Sequence, residues 1–187
     1  MRNLFVLSLL LISSSLLWAQ SKKAVPGKLL PFIPPGYSVL DFETGDLNRD
    51  TYPDVVLALK YDHEADSDQT ARPLLILLGK KNGSLSLFAR NDSVVLCKGC
   101  GGVFGDPFEG ITIKGWYFSL EYYDGSRYRW NRITTFKYDP VKKDFILHRD
   151  AGMSYDNVQE DKKYAEDMYH KAAFGKQRFV KYNNDVD

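Results

Sequence analysis

The chain has 187 residues, with 25 Lys and Arg against 24 Asp and Glu, a formal charge of +1 at pH 7. That balance excludes a strongly basic nucleic-acid binder and an acidic tail protein. Hydrophobic residues at 44% and charged residues at 26% describe a folded domain, and an aromatic share of 14% favours β-structure, where large flat side chains fit a pleated surface.

Residues 1–19 carry Arg2, then an apolar run from Leu4 to Leu17 broken only by Ser8 and by Ser13 to Ser15, the layout of a secretory signal peptide cleaved after Ala19. The run is shorter than the ~20 apolar residues of a bilayer span, so no stable membrane insertion is expected after cleavage. The expected location is periplasmic or secreted. Cleavage removes Arg2 and leaves a formally neutral chain, so nucleic acid is not an expected partner. Residues 20–36 form a Pro-rich arm, and residues 37–187 read as a single β-rich domain.

From Tyr37 onward, short apolar runs separated by turn residues predict strands over 38–43, 54–60, 73–78, 84–90, 94–97, 110–113, 117–123, 128–138 and 145–149. Lys80-Lys81-Asn82-Gly83, Asp124-Gly125-Ser126 and the stretch from Asp139 to Lys143 are hairpin signals. Large residues recur at every second position in Trp116, Phe118, Leu120, Tyr122 and again from Tyr128 to Tyr138, as a half-buried antiparallel pair requires. Residues 159–172 contain good helix formers with Tyr164, Met168 and Ala172 on one stripe, so a short C-terminal helix is expected there. Residues 174–182 read as a final strand. The expected fold is mainly β, an antiparallel twisted sheet or two-layer arrangement with one loop that suits a cation.

That loop lies in residues 45–59, GDLNRDTYPDVVLAL. Asp46, Asn48, Asp50 and Asp54 stand at positions 1, 3, 5 and 9, directly before an apolar strand. Calcium takes six to eight oxygens at ~2.3 to 2.6 Å, and a chain supplies several by curling around the ion with alternate side chains inward. Asp46, Asn48 and Asp50 provide three such ligands, the carbonyl of Tyr52 a fourth, and Asp54 a fifth, directly or through water. Position 12 is Leu57 rather than Glu, and no flanking helices are signalled, which excludes an EF-hand. The stretch resembles the calcium loop of FG-GAP and VCBS-type repeats, the blade units of integrin-like propellers, whose pattern is D-x-D-x-D-G-x-x-D before an apolar strand. The resemblance implies Ca²⁺ as the bound ion. Here Asn48 stands for an Asp, and Thr51 for the Gly that accepts a positive φ, at a strain cost of about 1 kcal/mol or more. Without an ion, an Asp- and Asn-rich turn capping its own amides accounts for the same residues.

Residues 101–139 resemble a set of small secreted bacterial proteins that combine such a loop with a G-D-P-F-E-G stretch and a later Y-x-G-S-x-x-R-W stretch. The resemblance implies a shared β-rich fold and an envelope location, and it carries over no activity.

Cys97 and Cys100 are the only cysteines, and after export a short-loop disulfide is the first expectation. A redox pair would place the first cysteine at a helix N-terminus, and no helix is signalled. His63, His148 and His170 lack ligand spacing. Residues 62–68, DHEADSD, read as a solvated loop. Arg127, Arg129, Trp130 and Arg132 lie among tyrosines, a mixture suited to a glycan, peptidoglycan or an envelope protein through stacking and cation-π contact; strand alternation alone would put Tyr128 and Trp130 inward and Arg127 and Arg129 outward. No nucleophile motif, phosphate loop or dinucleotide fingerprint is present, and Asp106 and Glu109 flank a Pro-Phe turn. The sequence therefore points to an exported, non-enzymatic calcium-binding structural or recognition module. The alternatives are a small envelope hydrolase using Asp106 or Glu109, a thiol-disulfide protein using Cys97 and Cys100, and an inhibitor or immunity-like protein acting through the Arg-rich hairpin.

Overall fold

Two runs, Asp54 to Leu59 and Arg72 to Leu77, bury every position in succession, which a strand does only when both of its faces are covered. The computed structural model describes residues 23–65, 69–156, 158, 163–166 and 174–184. Residues 1–19, read as a signal peptide from the sequence, lie outside them. Their strands are β1 (Tyr37–Gly45), β2 (Asp54–Tyr61), β3 (Arg72–Gly79), β4 (Leu85–Val95), β5 (Phe108–Lys114), β6 (Tyr117–Gly125), β7 (Tyr128–Asp139), β8 (Asp144–Asp156) and β9 (Lys163–Glu166). They form two antiparallel meanders, β1-β2-β3-β4 and β5-β6-β7-β8-β9. All three hairpin signals join neighbouring strands as expected.

The two sheets share a core. Val56, Ala58, Leu74 and Ile76 of the first pack in one cluster with Phe118, Leu120, Phe136 and Leu147 of the second. Phe118 stacks on Phe136 with centroids 5.3 Å apart. The opposite side of the first sheet is capped by the Pro-rich arm: a 3-10 turn at Gly27–Phe32 places Leu29, Phe32 and Ile33 against Val55, Leu57, Leu59, Leu75 and Leu77. The outward side of the second sheet has no such cover among the described residues, and Ile133 and Met153 there are exposed.

The sheets meet along two seams. On one, the Ile111 amide of β5 donates to Asp41 Oδ2 of β1 at 2.9 Å, and Gly45 lies so close that an added Cβ would fall 2.6 Å from Ile113 Cγ2. The other is closed by residues 175–184. Leu147 N donates to Gln177 O at 2.8 Å, and Asn91 Nδ2 donates to Phe179 O and Tyr182 O at 2.5 and 2.8 Å. Arg132 forks onto Asp150 at 2.8 and 2.7 Å, and the Tyr182 hydroxyl donates to the same carboxylate at 2.5 Å. Burial pushes the Tyr182 phenol well up. Every charge in this network has a partner, which is the condition for tolerating it between two sheets.

Several expectations are corrected. The segments 84–90 and 94–97 merge into the single strand β4, which bends through register shifts against β3. Strand β8 runs on to Asp156 because the long β7 supplies partners as far as Tyr128. Residues 163–166 of the expected helix form β9, paired with Gly152 to Tyr155 of β8; ladder hydrogen bonds at an open edge override a weak local propensity. The remainder of 159–172 lies outside the described residues. The expected final strand over 174–182 is a turn, an isolated bridge from Arg178 to Ile146 and a 3-10 turn at Phe179–Lys181. No helix among the described residues is long and apolar enough to cross a membrane.

Candidate functional site

The loop between β1 and β2 closes on itself through its own side chains. Asp46 Oδ1 and Oδ2 accept the amides of Asp50 and Thr51, both at 3.1 Å. Asn48 Oδ1 also accepts the Asp50 amide at 3.0 Å, and Asp50 Oδ1 accepts that of Tyr52 at 2.9 Å. Asn48 Nδ2 donates to Asp50 Oδ2 at 2.9 Å. To curl this tightly the backbone takes φ of 66° at Arg49 and 73° at Thr51. For a β-branched threonine that is an unusual conformation.

Asp54 lies deeper than the other three. It is fully buried, and its two oxygens accept Leu47 N at 2.8 Å and Gly79 N at 2.9 Å. Burial raises its pKa above the ordinary carboxylate value, against the lowering effect of those two amides. It acts as a strut between the loop and the end of β3. Gly79 is required there, since an added Cβ would lie 2.4 Å from Pro53 O. Among the described residues no group of three or more His, Cys, Asp or Glu side chains is placed to hold a metal ion. Asp54, expected as the fifth ligand directly or through water, spends one hydrogen bond per oxygen on the amides of Leu47 and Gly79. The carboxylates of Asp46 and Asp50, the Asn48 carbonyl and the Tyr52 carbonyl are likewise hard oxygens suited to calcium chemistry.

Cys97 and Cys100 are joined in a disulfide. Beside it, Arg72 is fully buried and forks onto Asp106 at 2.7 and 2.6 Å and onto Glu64 at 3.0 and 2.7 Å. Burial alone would lower the Arg72 pKa; the hydrogen bonds it donates to Asp106 and Glu64 outweigh it and hold the guanidinium above its ordinary value. Asp106 thus commits both oxygens to an ion pair, and Glu109 is exposed. Glu64 belongs to the stretch read as a solvated loop, and its burial against Arg72 corrects that reading; residues 66–68 lie outside the described residues.

Strand alternation splits the Arg-rich hairpin between two faces. Trp130 packs against the core and Arg132 is buried with Asp150, so neither belongs to an open surface. Arg127 is exposed and pairs with Asp156 at 3.0 Å. Tyr128, expected inward, is 64% exposed at the strand's start. Arg129 faces outward: its Nη1 donates to Tyr123 Oη at 2.9 Å, and its guanidinium lies 5.1 Å from the Phe104 ring centroid. Phe104 stacks on Tyr123 with rings 19° apart, and the Tyr123 hydroxyl meets that of Tyr155 at 3.4 Å. Hydrogen bonding to Tyr155 and Arg129 lowers the Tyr123 pKa.

Sequence reasoning passed over the rest of this outward face. Trp116, Tyr117, Ser119 and Thr135 line a hollow of about 470 Å³ together with Lys114 and Gly115. Thr135 also lines a second hollow of about 290 Å³ with Ile133, Arg149 and Met153. Over Trp116 lies the guanidinium of Arg49, 3.3 Å from the ring centroid, which ties the β1-β2 loop to the second sheet. No protein-family model, curated protein or solved structure matches the chain.

Proposed function

We propose that the protein is an exported, non-enzymatic module whose β1-β2 loop takes a calcium ion as a structural element, and whose open sheet face serves recognition. The loop conformation carries the calcium half. Thr51 holds φ of 73° at the position where the calcium-loop pattern has glycine, so the backbone follows that curl although its side chain disfavours it, and strain of this kind concentrates at ligand clamps. Asp46, Asn48 and Asp50 would hold the ion with the Tyr52 carbonyl. Each carboxylate oxygen that accepts one amide keeps a second lone pair. A bound ion would neutralise Asp46 and Asp50 and fix the loop, so its binding energy adds to folding stability. With two carboxylates the affinity belongs to the 10⁻⁴ to 10⁻³ M range of extracellular modules.

Asp106, one of the residues a hydrolase would use, is paired with the buried Arg72, which supports a structural role for that carboxylate. The test is thermal unfolding of the chain in millimolar calcium and in chelator. Calcium should raise Tm, and Asp50→Ala should erase the difference. Superimposable curves for the unmutated protein in the two buffers would sink the calcium half.

A further inference from the structure

We propose that the outward face of the second sheet binds a carboxylate-bearing oligosaccharide along the trough that runs from Trp116 and Tyr117 past Thr135 to Arg149. This deepens the recognition half of the function above and rests on that half alone.

Three observations lead to this class of ligand. The first is shape. The two hollows of about 470 and 290 Å³ share Thr135, so they lie side by side across several strands, and the larger lies within the range of small-molecule sites. It occupies the face of the sheet rather than an edge, so an occupant is held by side chains and not by a strand-like main-chain ladder, which disfavours an extended peptide.

The second is lining. Trp116 and Tyr117 stand 5.9 Å apart with rings tilted by 30°, and Trp116 is 37% exposed. A pyranose ring offers a face of C–H hydrogens that suits the electron-rich face of an aromatic ring. Beside the rings, Ser119 Oγ and Thr135 Oγ1 lie 2.9 Å apart, and each hydroxyl keeps capacity to bond a sugar hydroxyl.

The third is charge. Lys114 and Arg149 line the hollows, and Lys137 and Arg149 both act on His148, whose ring lies 4.9 Å from Tyr117. Among the described residues no carboxylate lines either hollow. Glu121, opposite Ile133 in register, accepts a hydrogen bond from the Thr112 hydroxyl at 2.6 Å. A positively charged trough with an aromatic floor is complementary to a sugar bearing carboxylates and raises its encounter rate.

The probe is tetragalacturonate, titrated by calorimetry into the mature chain in chelator, at low and at physiological salt, with maltotetraose as the neutral control. Binding of the acidic probe, weakened by salt, absent for the neutral one and reduced about tenfold or more by Arg149→Glu and by Trp116→Ala, supports the inference, a tenfold loss being the scale expected for one lost contact. Arg149 is exposed, so Arg149→Glu keeps the fold, and circular dichroism melting confirms this for both variants. No binding at 10 mM probe, equal binding of the neutral sugar, or unchanged affinity in Arg149→Glu overturns the inference. Tighter binding to vesicles of phosphatidylglycerol than to tetragalacturonate also overturns it, since the face would then be read as a lipid surface. Because the titration is run in chelator, its failure leaves the calcium-dependent Tm standing, and the reverse holds equally.

Discussion

The two sheets have the same meander order, yet their outward faces have opposite fates. In the first sheet, β2 and β3 place Val55, Leu57, Leu59, Leu75 and Leu77 outward, and the Pro-rich arm covers them with Leu29, Phe32 and Ile33. In the second, the outward positions of β6 and β7 alternate with core residues and stay half-buried or exposed. An unbroken apolar run marks a strand covered on both sides, and an alternating run marks one that leaves a face to water. One sheet uses both faces for stability, whereas the other keeps one face available for contact.

The largest effect expected from this contrast is the loss of an arm contact. Leu57→Ala removes a fully buried side chain between sheet and arm, and should cost about 2 to 5 kcal/mol in urea unfolding, the range for buried leucine truncations. A cost below 1 kcal/mol would mean that the arm does not seal that face. Next comes Asp54→Ala, which strands the amides of Leu47 and Gly79 in the interior and should cost about 1 to 3 kcal/mol. Burial raises the Asp54 pKa above the ordinary 3.8, so the folded state takes up this proton before the unfolded state does. The group's contribution to stability therefore declines as pH rises from 3.8 through its folded value, and the penalty of Asp54→Ala should shrink over the same interval.

On the open face the scale falls. Ile133 is 46% exposed, and Ile133→Thr should change stability by no more than about 0.5 kcal/mol, as for surface positions generally. A loss comparable to that of Leu57→Ala would erase the distinction between the two faces.

Local chemistry made much of this fold legible in advance. The three hairpins were readable because Asn-Gly, Asp-Gly and Asp-Pro turns act within a few residues, and the disulfide because Cys97 and Cys100 are separated by two residues. What escaped depends on distant partners. Arg132 looked like a surface cation because Asp150, which neutralises it, lies 18 positions away. Residues 163–166 looked helical because the ladder that makes them a strand is supplied by β8. For the candidate loop, the spacing of Asp46, Asn48 and Asp50 was visible, but the hydrogen bond that Asp54 accepts from Gly79 was not, since it depends on where β3 ends. The Trp116 trough was invisible for the same reason: Arg49 and Trp116 are joined only by the way the two sheets meet.

The smallest expected effect probes the charge of the open face directly. Partial burial, then the neighbouring Lys137 and Arg149, hold the His148 pKa below its ordinary 6.5. The unfolded chain therefore takes up this proton at a higher pH than the folded chain, so stability should fall as pH drops below 6.5 through the folded value and be fully present above 6.5. His148→Gln should leave the melting temperature at pH 7.5 unchanged and flatten the decline on the acid side. The same ring tests the occupant. An anion resting against Lys137 and Arg149 would offset their charge and move the His148 titration upward, measured from its imidazole proton resonance with and without tetragalacturonate. A midpoint that does not move while the sugar binds would place the ligand elsewhere than on this face, and the contrast between the two sheets would then rest on stability alone.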